Sequence, residues 1–290
     1  MLITFKFTAR LLCLFTLVSN TWQIAQAQDQ AQDHAQDHVK REYTFGVVPQ
    51  FEQRKLFRIW QPIWLELEKY TGLKFNLQGS AKIPDFEKEF LAGHYEFAYM
   101  NPYHILAANN KQGYIPLIRD DGKPLYGVLV VKKGSSIKNL QDLDGKTIAF
   151  PAPNALGASL LIRADLKKHH HIDINPKYVK THSSVYLNVA LGLTDAGGGV
   201  ASTLDQQKDE IKDQLKVLYE TRHMAPHPLS VHPRVAKDVQ LKVKQAILKM
   251  AETQHGRALL EKVPMRKAIA ADISHYQELD SWGLKEFWVD

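Results

Sequence analysis

From Tyr43 onward, short apolar runs alternate with stretches whose apolar residues recur at three- and four-residue spacing. A period of two giving way repeatedly to a period of 3.6 is the pattern of successive βα units. YTFGVV (43–48) reads as a first strand. Leu56, Ile59, Trp60, Ile63, Trp64, Leu67 and Tyr70 then mark the buried stripe of a helix that stops at Thr71-Gly72. KFNLQ (74–78) is a second strand, IPDFEKEFLAG (83–93) a second helix, and YEFAYM (95–100) a third strand broken at Asn101-Pro102. A helix from Tyr103 to about Asn110 and a strand over 115–118 complete one α/β half.

LYGVLVVKKG (125–134) is a β-rich run with no helix directly after it, which suits a crossover to a second half. That half contains the strand TIAF (147–150), a helix over about 158–168, a strand at 177–180, a helix at 184–191 and a strand at 195–200. A return crossover near Leu218 to Met224 brings 225–290 back as mostly helical cover, with Val235, Val239, Val243, Ala246, Ile247 and Met250 as its apolar face. The predicted fold is α/β: two doubly wound lobes on mostly parallel sheets, joined by a two-strand hinge. Residues 42–127 with 225–290 form lobe 1, and 128–224 form lobe 2.

Residues 1–27 read as a cleaved secretory signal: Lys6 and Arg10 give a positive start, Leu11 to Val18 an apolar stretch, and Ala25-Gln26-Ala27 a small-x-small site. The only cysteine, Cys13, leaves with it, which excludes a disulfide scaffold and a thiol enzyme. Residues 28–41 form a polar Gln-Asp-Gln/His leader that has too little apolar surface to fold and solvates His34 and His38. A formal charge of +6 is too mild for a nucleic-acid or membrane-surface partner.

In open α/β sheets, ligands collect at the carboxyl ends of strands. Four such ends carry suitable groups: Gln50-Phe51 after the first strand, Tyr99, Asn101 and Tyr103 after the third, the loop FPAPNALGAS (150–159), and THSSVY (181–186). The third offers Asn154, Ser159 and Gly157 at a helix start; the fourth offers His182, Ser183 and Ser184, the two serines also being ordinary helix caps. The third lacks a nucleotide-loop lysine, and no G-x-S-x-G elbow accompanies the serines. His169-His170-His171 ends a helix and reads as surface capping, and Gly197-Gly198-Gly199 as close backbone packing.

GVVPQF (46–51) with Trp60-x-Pro62 and Tyr70-Thr71-Gly72, FAYMNPYHIL (97–106), LQDLDGKTIAFPAPNALGASLLIRADL (140–166) and HSSVYLNVALGLTDAGGG (182–199) occur here in order. Together they resemble the phosphate/phosphite/phosphonate-binding proteins of ABC transporters over roughly 43–280. The resemblance implies a periplasmic, monomeric, non-enzymatic receptor without metal or cofactor, which closes on a small oxyanion and serves a transporter permease. A membrane kinase or cyclase sensor is the alternative partner. Phe51, Tyr99 and their neighbours in lobe 1 should face His182, Ser183 and 154–157 in lobe 2, with Tyr126 at the hinge. Family members usually carry hydroxyls at the third loop, where this chain has Ala155, Leu156 and Gly157, and often an Asp where it has Ser183. The pocket is therefore expected to be less polar than in relatives.

Overall fold

The computed structural model describes residues 42–289, so the expected signal segment and leader lie outside the described residues. The chain opens with β1 (Glu42–Val47), α1 (Gln53–Thr71), β2 (Lys74–Gly79), α2 (Ile83–Leu91), β3 (Phe97–Tyr99), α3 (Pro102–Gln112) and β4 (Ile115–Asp120). The predicted stripe of α1 is buried: Leu56, Trp60, Ile63, Trp64 and Leu67 pack on the sheet. Each large apolar side chain removed from water there contributes about 1.5–3 kcal/mol. Gly72, at φ 70°, ends the helix by donating its N–H to the Glu68 carbonyl at 2.7 Å.

The middle of the chain supplies β5 (Gly127–Lys132), β6 (Thr147–Phe150), α4 (Leu161–His169), β7 (Asn175–Tyr178), α5 (His182–Ala190), β8 (Ala196–Val200), two short helices, α6 (Ala201–Asp205) and α7 (Asp209–Lys212), and β9 (Leu215–Glu220). The strand expected at 177–180 sits earlier, because Lys180 adopts φ 77° and turns the chain into α5, whose cap is Thr181. The chain then returns through β10 (Leu229–Val231), α8 (Lys237–Glu252), α9 (Gln254–Leu260) and β11 (Ala268–Ala270).

The strands form two sheets, ordered β11-β4-β10-β3-β1-β2 and β7-β6-β8-β5-β9. Pairs β1–β2, β1–β3, β6–β7 and β6–β8 are parallel, whereas those made by β10, β11 and β5 are antiparallel. The sheets are thus mixed where mostly parallel ones were expected. The returning segment is also more than helical cover, since β10 inserts between β3 and β4 with Leu229 opposite Tyr99. The return crossing forces this polarity on β10, which enters from the hinge side.

Leu125 and Met224 exchange both backbone hydrogen bonds at 2.9 Å where the two crossings meet. Of the expected crossovers at 125–134 and 218–224, residues 127–132 and 218–220 lie inside β5 and β9, so the crossings shorten to the segments around this pair. One apolar core built on the first sheet continues into Ala155, Leu156, Leu160, Leu161 and Val200, which follow strands of the second.

Candidate functional site

After β6, residues Leu156–Leu160 form a wide π turn that runs directly into α4. The N–H groups of Ser159 and Leu160 both go to the Ala155 carbonyl, at 2.7 and 3.1 Å. Those of Leu156, Gly157 and Ala158 have no acceptor among the described residues. Three unpaired donors at a helix start form a region of positive potential. The turn reaches this position because it presses on two strands at glycines: a Cβ on Gly198 would overlap the Ala158 carbonyl, and one on Gly127 would overlap that of Gly157.

The turn closes one side of a cavity whose other walls are Val48, Gln50, Ile83 and Asn101, with His182, Val200 and His227. About 20 Å³ remains between them, the room of one water molecule. The lobes touch at its rim, where the His182 N–H donates to the Gln50 carbonyl at 3.1 Å. None of the lining side chains is an acid, a lysine or an arginine.

Both histidines are buried, and loss of hydration lowers each to about 3, so they are neutral near pH 7. For His227, the nearby His104 and His182 add to the effect. Thr203 Oγ1 lies 2.8 Å from the Val200 carbonyl, 2.9 Å from the Tyr186 hydroxyl and 3.2 Å from His182 Nδ1. The amide nitrogen of Gln50 stands 3.3 Å from His227 Nε2 and can only donate, so His227 Nε2 accepts from it.

Of the residues singled out by sequence, Gln50, Asn101, Ala155, Leu156, Gly157 and His182 meet in this cavity. Phe51 is buried beside it, with Lys55 Nζ 3.7 Å above its ring. Tyr99 is 3% exposed and wedged between Trp60 (4.9 Å) and His227 (5.4 Å), where burial pushes its phenol up. The donors expected near Tyr103 are taken: Asn101 Oδ1 accepts the N–H of Tyr103 (2.9 Å) and of His104 (2.7 Å), and the Tyr103 ring turns toward Trp288 at 5.6 Å.

Asn154 is 1% exposed, and its amide is committed to Glu87 and Val289. Ser159 accepts from Arg163. Ser183 is half-buried outside the lining, and the Ser184 hydroxyl lies 2.9 Å from that of Thr181, which caps α5 in place of either serine. Tyr126 stacks on His223 at 4.6 Å and lines a hinge-side cavity of about 160 Å³ with Lys123, Ser202, Asp205 and Arg266. His227 borders both cavities. Sequence reasoning missed His227, Val48, Ile83, Ala158 and Val200. The signal for His227 was Pro226-His-Pro228 ahead of the apolar Leu229-Ser-Val231. No group of three or more His, Cys, Asp or Glu placed to hold a metal occurs among the described residues.

Residues 45–276 match the family described as ABC transporter, phosphonate, periplasmic substrate-binding protein. The phosphate-import protein PhnD of Mycolicibacterium smegmatis is 24% identical over 222 residues, covering 69% of this chain and 69% of that protein. The phosphonates-binding periplasmic protein of Escherichia coli is 23% identical over 242 residues, 77% of this chain and 70% of that one. The solved structure of PhnD1 from Prochlorococcus marinus in complex with methylphosphonate superposes with a TM-score of 0.77 at 15% identity, covering 84% of this chain and 98% of that one. A binding protein component of an ABC phosphonate transporter from Pseudomonas aeruginosa gives 0.76 at 15%, with 85% and 87% covered. At these identities the structures establish a shared two-lobed fold.

Proposed function

The chain belongs to the periplasmic substrate-binding proteins of phosphonate ABC transporters, and from that premise we propose that it grips a small phosphorus oxyanion at the turn 156–158 and hands it to its permease. Its family binds and delivers and makes no bond, so the site has only to hold, enclose and release. The observation that carries the reading is the set of unpaired N–H groups on Leu156, Gly157 and Ala158, three residues that line a cavity with no carboxylate. Each such bond to a charged oxygen contributes about 1.5–3 kcal/mol, so backbone donors replace the hydroxyls expected of the family.

Residues 42–127 with 225–290 act as lobe 1 and 128–224 as lobe 2, a division supported by the membership of the two sheets except at Gly127, which opens β5 of the second. The ligand enters as the Gln50–His182 contact parts, and its contacts favour the closed population. Export through a cleaved segment at 1–27 and action as a monomer complete the reading, because both walls of the cavity come from one chain.

Thermal unfolding with methylphosphonate, phosphite and phosphate tests it. A ligand at 100 times its Kd adds about 2.7 kcal/mol of stability. No stabilisation by any of the three would remove the ligand assignment.

A further inference from the structure

Asn154 stands immediately before the turn, and both ends of its amide are held by distant segments. Its Nδ2 donates to the Val289 carbonyl at 2.7 Å and to Glu87 Oε2 at 3.1 Å, and its Oδ1 accepts the Val289 N–H at 2.9 Å. Arg163 Nη2 bridges the carbonyls of Pro153 (2.9 Å) and Phe287 (2.8 Å). Farther along α4, Lys168 Nζ binds the Gly283 carbonyl at 3.0 Å and Glu286 at 2.9 Å. Arg222, paired with Asp165 at 3.0 Å, lies against the Trp282 ring at 4.3 Å. Residues 282–289 thus run back along α4 from its end to the turn before it.

The same segment is rooted in the other lobe. Leu279, just before it, and Leu284 are each 1% exposed in the apolar core that continues from the first sheet into the second. The Trp288 ring meets Tyr103 at 5.6 Å and His104 at 6.1 Å, and His104 Nε2 lies 2.9 Å from Glu87 Oε1.

We propose that residues 282–289 are a strap across the two lobes that fixes the turn 153–158, and that Asn154 and Arg163 are positioning residues for ligand binding. The inference rests on reading that turn as the anion site. The strap adds no ligand contact. It acts by ordering the loop before the ligand arrives, so that binding does not bear the entropy of ordering it. Asn154 suits this role because a buried amide that loses Val289 keeps an unmet donor and acceptor, which favours the docked strap.

A chain ended after Lys285 and the full-length variants Asn154→Ala and Arg163→Met are compared with the intact chain by amide hydrogen exchange and methylphosphonate titration. In the shortened chain, the amides of 153–158 should exchange about tenfold faster, those of β6 and α8 remaining as they were. The methylphosphonate Kd should rise about tenfold, through faster release. Asn154→Ala should weaken binding in the full chain and add almost nothing in the shortened one, since its partner is already gone.

Unchanged exchange at 153–158 after shortening overturns the strap, and an equal effect of Asn154→Ala in both chain lengths overturns the role of Asn154. Undiminished methylphosphonate binding by Leu156→Pro, with exchange at the turn still accelerated by shortening, instead overturns the anion-site reading alone. If shortening unfolds the chain, full-length Asn154→Ala and Arg163→Met, which cut the ties to Val289 and Phe287, carry the exchange test at 153–158 in its place, and unchanged exchange in both overturns the strap.

Discussion

The main-chain N–H of His182 donates to the main-chain carbonyl of Gln50 at 3.1 Å, joining the start of α5 to the loop after β1. Because both partners are backbone, this contact between the lobes is independent of side-chain identity. It is made or broken only by movement of one strand end relative to the other.

Replacing Leu156 by Pro removes one of the three free donors at a position the backbone can accept. Leu156 is the first residue of the turn, and Ala155 before it is already extended at φ −65° and ψ 98°. Affinity for methylphosphonate should fall about 10- to 100-fold by calorimetry. Retained affinity would mean that the turn does not hold the anion.

Gln50→Glu keeps the shape of a lining side chain and places a carboxylate against the bound anion. Methylphosphonate binding should weaken about tenfold or more. NMR titration should show His227, whose Nε2 is 3.3 Å from the Gln50 amide, rising from its depressed value toward neutrality.

Stability should depend on acid through His182 and His227. Each is lowered from 6.5 to about 3 by burial in the folded protein, so below 6.5 the unfolded chain binds protons that the folded chain refuses. Stability from this source is therefore full above pH 6.5 and is lost as pH falls toward 3. The slope is up to about 1.4 kcal/mol per pH unit per histidine. Urea titrations at pH 7.5 and 5 should show the loss, and His182→Gln or His227→Gln should flatten it. A flat wild-type profile over that interval would contradict the neutral pair.

Gly198→Ala tests how the turn is seated. Its Cβ would meet the Ala158 carbonyl and the Phe150 ring, neither of which is a flexible chain end. The cost should be about 1–3 kcal/mol in denaturant titrations, with the amides of 156–158 exchanging faster. Wild-type stability would show that the turn shifts without cost.

The helices were legible because their buried stripes are long. α1 could be read from seven apolar residues in register, whereas β10 is three residues and too short to show any period. The same brevity concealed His227, which reaches the cavity only because β10 pairs with β3. Candidate residues near strand ends could be named, but which way each faced depended on competing local partners. Asn101 turned inward to cap α3, Tyr99 was caught between Trp60 and His227, and Asn154 was claimed by Val289. The three free N–H groups that best define the site have no side-chain signature at all.

Leu125 and Met224 are tied by a reciprocal pair of 2.9 Å bonds, so the two crossings cannot slide past one another without breaking the pair. With that ladder step intact, any swing of one sheet against the other bends both crossings together. A pair of dyes, one on each sheet, would read that shared bend as one change of distance.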